Sequence, residues 1–306
     1  MTVLGWRRHL HWLLALVCAG TLAWTIHLLW QAWPTLQANL LQMRSKWLAF
    51  VFAGNLLAAY LAFEAFRALF VHVLPGRYGR LRLAHLYFVG QLMKHLPGRI
   101  WGTAYQSASG NEASMAQWVG VNSVFMVLST AVAIWIAAIV LGFFHAWLTG
   151  FAATAGGLLV YFVTWRKTAL SPLLGLLRRL PMRAAGRLAD ALAGFADASS
   201  GFKLEVLGWL VLVWLCYLAA WAGYGLAWPG LRVTDAVVLC AIYTFSWFVG
   251  YISLISPSGM GVRELVFVLL ARDFPPDAVA GLAVMGRMAL LAVDVVLGVA
   301  FVPFRR

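Results

Sequence analysis

A chain of 306 residues that is 63% apolar and 11% charged, with a mean hydropathy of +0.85, is not a soluble domain. The formal net charge of +13 reads as a membrane feature, basic loops facing anionic lipid, and not as a nucleic-acid footprint. Cys18, Cys216 and Cys240 all fall in apolar stretches without C-x-x-C spacing, which points away from a disulfide framework or a bound metal.

Arg7 and Arg8 open the chain and an apolar run follows as far as Trp30. That run is too long for a cleaved leader and is expected to be a retained first span, 9–31. Further stretches of the required length, about 20 apolar residues, lie at 47–73, 115–143, 147–165, 204–226 and 277–302. Two more apolar stretches, 83–110 and 236–271, are interrupted. Phe88-Val89-Gly90 is followed seven positions later by Pro97-Gly98-Arg99, and Phe248-Val249-Gly250 seven positions later by Pro257-Ser258-Gly259-Met260-Gly261. Each interrupted stretch is either one kinked span or a re-entrant pair of half-helices. Trp30, Trp33, Trp47, Trp165 and Trp228 stand near span ends, as interfacial aromatic belts require.

Basic residues near span ends accumulate on the cytoplasmic side. Arg7 and Arg8, then Arg77, Arg80 and Arg82, then seven basic residues from Arg166 to Lys203, and finally Arg305 and Arg306 mark cytoplasmic ends and loops. This pattern requires 83–110 to begin and end inside and 236–271 to begin and end outside. The expected fold is therefore an all-α polytopic membrane protein with six full spans and two re-entrant hairpins. Residues 1–143 and 144–306 form an inverted repeat, with both termini cytoplasmic. Paired interruptions at matching places in two halves point to a substrate site near the bilayer midplane. The connector 166–203 carries Arg179, Arg183 and Arg187 beside a stripe of Leu180, Ala184, Leu188, Leu192 and Phe195. It is expected to be an interfacial helix broken near Pro181.

Charges within spans are costly and survive when paired or facing a polar cavity. Glu64 and Arg67 sit at i, i+3 with Tyr60 one turn earlier, and can neutralise each other. Arg287 and Asp294 share a face of the last span two turns apart. Lys94, His95 and Arg99 flank the first break, and Arg263 and Glu264 follow the second. Five cations (Arg67, Lys94, Arg99, Arg263, Arg287) face three carboxylates (Glu64, Glu264, Asp294), a balance of +2. An anionic headgroup would complete it. Lys94, Arg99, Arg263 and Arg287 are thus the candidate substrate ligands. Glu64, Arg67, His95, Glu264 and Asp294 are candidates for charge pairing or proton coupling, with breaks at Gly90, Pro97, Gly98, Gly250, Pro257, Gly259 and Gly261. Backbone N–H groups at a half-helix start favour anions, and an adjacent arginine adds bidentate phosphate contacts. No catalytic residue and no cofactor is assigned, because the chain has no paired-aspartate loop motif, no H-x-x-x-x-D spacing and no aspartate-rich metal box.

The run Gln91-Leu92-Met93-Lys94-His95-Leu96-Pro97-Gly98-Arg99-Ile100-Trp101, with Pro257-Ser258-Gly259-Met260-Gly261-Val262-Arg263-Glu264 and Arg287, resembles the two signature regions of the lysylphosphatidylglycerol synthetase transmembrane (flippase-like) family. That family includes the flippase portion of the multiple peptide resistance factors. The resemblance covers about residues 10–302, and Ser258 stands where the family usually has a second glycine. It implies a translocator of the bacterial cytoplasmic (inner) membrane that moves an anionic phospholipid or a lipid-linked sugar. The alternative it leaves open is a non-transporting partner of an envelope glycosyltransferase or lipid synthase. With the sequence ending four residues after the last span, no aminoacyl-lipid synthesis is expected.

Overall fold

The computed structural model describes residues 45–93, 101–110, 112–144, 167–179, 183–228, 230–252 and 262–305, together with Trp30, Pro34, Gln37 and Gly157. Nearly all of the expected spans 9–31 and 147–165 lies outside those residues, as do Lys94, His95, Pro97, Gly98, Arg99, Pro257, Gly259 and Gly261. The described residues form α1 (Ser45–Val73), α2 (Arg80–Met93), α3 (Trp101–Ser109), α4 (Met115–Phe144), α5 (Lys167–Arg179), α6 (Arg183–Asp197), α7 (Ser200–Ala227), α8 (Val233–Ile252), α9 (Val262–Leu270) and α10 (Pro276–Phe301), and end in the 3-10 turn Val302–Arg305. No strand occurs among them. Helices are the form in which an isolated segment satisfies all its backbone polar groups in lipid. Five are long and apolar enough to cross a membrane: Trp47–Val73, Met115–Phe144, Ser200–Ala227, Val233–Gly250 and Pro276–Phe304. The four uninterrupted spans expected within these residues match α1, α4, α7 and α10 to within four residues at either end.

The long helices α1 and α7 lie along one another in opposite directions. His72 stacks on Phe202 with ring centroids 3.9 Å apart, while toward the other end a Cβ on Gly54 would stand 2.8 Å from the Ala220 Cβ. Lipid gives helices no hydrophobic drive to associate, so small residues that let backbones approach and gain dispersion contacts hold such a pair. Two apolar cores form at the two ends of the pair. One gathers Phe63, Phe66, Phe70, Trp118 and Leu210; the other gathers Val51, Trp221, Tyr224, Tyr243 and Phe267.

Both interrupted stretches fold back on themselves. In the first, the Arg82 guanidinium donates to the Ser109 carbonyl at 2.5 Å, the Tyr105 hydroxyl lies 2.8 Å from His85 Nε2, and a Cβ on Gly102 would meet the Gly90 carbonyl at 2.6 Å. The arms α2 and α3 are therefore antiparallel and their outer ends meet. Below them the Arg77 guanidinium donates to the Glu112 carbonyl at 2.7 Å, and the Glu112 N–H donates to the Tyr78 hydroxyl at 3.1 Å. Burial holds that Tyr78 phenol above the usual tyrosine range. In the second, a Cβ on Gly250 would stand 2.7 Å from the Arg263 Cβ, and Tyr243 packs edge-on against Phe267 at 5.2 Å. Its arms α8 and α9 are antiparallel too.

Each hairpin packs on a long helix distant in sequence, α2 on α10 and α8 on α4. Each is also entered through the same turn: Gly76 (φ 72°) and Gly230 (φ 82°) follow Pro75 and Pro229, the Pro-Gly order that a left-handed third residue demands. The hairpins differ in length. The α8 arm has 20 residues, roughly 30 Å at 1.5 Å per residue, where the expectation was a half-helix. The α2 arm has 14.

Two helices, α5 and α6, flank Pro181 as expected, but the described C-terminal part of the stripe assigned to lipid is covered by protein. Leu192 and Phe195 are buried in the first core, and α6 packs on α4. Lys203 caps the end of α6, its ammonium donating to the Ala196 carbonyl at 2.5 Å.

Candidate functional site

Glycine at 250 lets the backbone of Arg263 close onto α8, and this places the first turn of α9 inside the protein. Arg263 and Glu264 are each 6% exposed. Neighbouring residues on a helix diverge, so the Arg263 side chain must fold back to reach its partner. Its Nε and Nη2 both donate to Glu264 Oε1, at 3.2 and 2.8 Å. From α10, Arg287 Nη1 reaches the same oxygen at 3.6 Å. The Arg263 guanidinium also lies 5.3 Å above the Tyr243 ring, within cation–π range. Two guanidinia from two elements thus converge on one carboxylate oxygen. Arg287 finds its partner in Glu264, not along its own helix. Asp294 is half-buried on the same helix and has partners of its own.

A second buried carboxylate sits on α1. Glu64 is 3% exposed and holds Arg67 Nε at 2.6 Å through Oε2, the expected i, i+3 pair. Through Oε1 it also holds Arg80 Nη2, from the start of α2, at 2.5 Å. Arg80 donates to the Tyr60 hydroxyl as well, at 2.6 Å. Sequence reasoning took Arg80 only as a mark of the cytoplasmic loop; its distance along the chain from Glu64 hid the contact. The side chains of Arg67 and Arg80 are 34% and 58% exposed, so neither arginine is sealed in the core with the carboxylate and the pair is worth less than a fully buried one. Glu64→Gln should therefore lower the unfolding temperature by only a few degrees in detergent. A larger collapse would mean that the two arginines are drier than their exposure implies.

Neutral polar groups line the first hairpin. His85 Nδ1 donates to the Phe301 carbonyl at 2.8 Å, which leaves Nε2 to accept from the Tyr105 hydroxyl. His85 therefore ties both arms of this hairpin to the end of α10. Gln106, 2% exposed, accepts from Asn122 of α4 at 2.8 Å. Among the described residues no group of three His, Cys, Asp or Glu side chains could hold a metal ion.

These features define a polytopic, all-helical membrane protein with a buried cationic site where three helices meet. No family model matches the chain, and neither a curated protein nor a solved structure matches it.

Proposed function

We propose that this protein is a lipid translocator of the bacterial cytoplasmic membrane, as its resemblance to the flippase-like family implies, and that it passes an anionic headgroup across the bilayer by alternating access. The observation that carries the reading is the convergence of Arg263 and Arg287 on one oxygen of Glu264, behind the break of a folded-back apolar stretch. A phosphate oxygen, like that carboxylate oxygen, is an anionic acceptor, and the planar guanidinium fork of arginine binds both groups bidentately. The headgroup is that of an anionic phospholipid or a sugar linked to polyprenyl phosphate.

Alternating access of this kind needs two halves of opposite orientation. The reading of 1–143 and 144–306 as such halves draws support from the antiparallel α1 and α7 and from the exchanged packing of α2 on α10 and α8 on α4. The meeting of the outer ends of α2 and α3 favours a re-entrant hairpin over a kinked span.

The test is reconstitution in liposomes with fluorescent phosphatidylglycerol, or with a fluorescent polyprenyl-phosphate sugar, and a quencher confined to the outer leaflet. The wild type should move one of the two probes well above the protein-free rate. Arg287→Lys, which keeps charge but loses the planar fork, should slow it at least tenfold while unfolding at the wild-type temperature. Rates equal to those of empty liposomes for both probes would reject translocation and leave the glycosyltransferase-partner reading.

A further inference from the structure

The ring of Tyr243 lies against Trp221 and Phe267, with centroids 5.8 and 5.2 Å away. This packing leaves the hydroxyl little choice of position. It points at α10 beside Gly286, where any Cβ would collide with it, and Arg287 is the next residue. The face of the same ring lies under Arg263. The hydroxyl is buried and has no hydrogen-bond partner among the described residues. Buried polar groups in native proteins are nearly always bonded, so an orphan of this kind calls for a reason. Tyr224 supplies a control within the same core: its hydroxyl is also buried without a partner among the described residues and also lies against a glycine of α10, Gly281, but its neighbour is Trp228 and not an arginine.

Resting on the headgroup reading above, we propose that Tyr243 is a third binding residue, whose hydroxyl donates to the anionic phosphate oxygen held by Arg263 and Arg287. The two arginines supply charge, and the phenol supplies a fixed direction without adding charge. A bound ligand's oxygen would give the buried hydroxyl the acceptor that the described residues do not supply. A hydrogen bond to a charged acceptor is worth about a tenfold or greater change in affinity.

The experiment measures the thermal stability of the purified full chain in detergent against increasing dioctanoyl phosphatidylglycerol and, separately, citronellyl phosphate. The variants are Tyr243→Phe, Tyr224→Phe and Arg287→Lys. Removing an orphan hydroxyl should leave the ligand-free Tyr243→Phe protein as stable as the wild type or more so, while roughly ten times more of the effective probe is needed for half the stabilisation. Tyr224→Phe should match the wild type in both respects. The probe that stabilises distinguishes a glycerophospholipid source of the phosphate from an isoprenoid one. Unchanged half-saturation in Tyr243→Phe with a weakened Arg287→Lys would overturn the role of Tyr243 and keep the anion site. Unchanged half-saturation in both variants, or no stabilisation of the wild type by either probe, would overturn both. A ligand-free Tyr243→Phe protein less stable than the wild type would show that the hydroxyl serves the fold, and the proposal would fall.

Discussion

Arg263→Leu is expected to destabilise the protein by about 3 kcal/mol, as breaking a buried ion pair from one side does. The side chains of Arg263 and Glu264 are 7% and 8% exposed, so water does not take the place of the two hydrogen bonds from Arg263 once they are withdrawn. Arg287, at 3.6 Å, is too far to replace them without moving α10. The leucine also loses the contact of the guanidinium with the Tyr243 ring. Because the penalty comes from the carboxylate left behind, Arg263→Leu combined with Glu264→Gln should recover a good part of it, a coupling that a double-mutant cycle isolates. Arg263→Lys should cost far less in stability and still impair translocation, since an ammonium cannot present two donors along one edge. Tryptophan fluorescence on heating, with 16 Trp residues in the chain, reads the wild type, these variants and Glu264→Gln alone. A leucine variant that melts with the wild type would mean that the pair is solvated, and the proposed anion site would lose the desolvation on which its affinity is argued.

The sequence makes the span boundaries legible because lipid imposes a length and a composition on every crossing. The breaks are legible because Gly and Pro interrupt a helix by themselves. Glu64 with Arg67 is legible because helix geometry alone brings i and i+3 together. What escapes is set by contacts between elements. Arg80 reaches Glu64 from 16 positions away, and Tyr243 lies on a helix that is apolar nearly throughout, so no periodicity singles it out. The proposed repeat is hard to read at one offset, because the spacing of its matching features changes. Gly90 and Gly250 stand 160 positions apart, but the Pro-Gly turns at 75–76 and 229–230 stand 154 apart. The difference of six residues equals the extra length of α8 over α2, 20 residues against 14. A comparison at one fixed offset therefore meets only the breaks. The apolar stripe of α6 could be recognised, but whether lipid or α4 covers it depends on how the connector folds back, which no local pattern records.

Gly102→Ala and Gly250→Ala should each open a hairpin and cost about 2–3 kcal/mol, the range for forcing a methyl group into a filled space. At Gly102 the new Cβ would stand 2.6 Å from the carbonyl oxygen of Gly90, a backbone atom that cannot swing aside. At Gly250 it would stand 2.7 Å from the Cβ and 3.2 Å from the Cα of Arg263. Either the arms part or the helix bends, and in the second hairpin both outcomes carry Arg263 away from Arg287. Gly250→Ala should therefore depress the proposed translocation more than its loss of stability explains, whereas Gly102→Ala acts beside Gly90, away from the described arginines of that hairpin, Arg80 and Arg82, which stand at its outer end bonded to Glu64 and to the Ser109 carbonyl. Gly208→Ala is the reference, because nothing lies within 4 Å of the space its methyl would fill and alanine favours the helix by roughly 0.5–1 kcal/mol. Melting temperatures of the three variants in one detergent should fall by roughly 5 °C or more for the first two and hold or rise for the third. Should Gly250→Ala melt with Gly208→Ala, α8 and α9 are not in contact at the break, and the convergence of Arg263 with Arg287 loses its support.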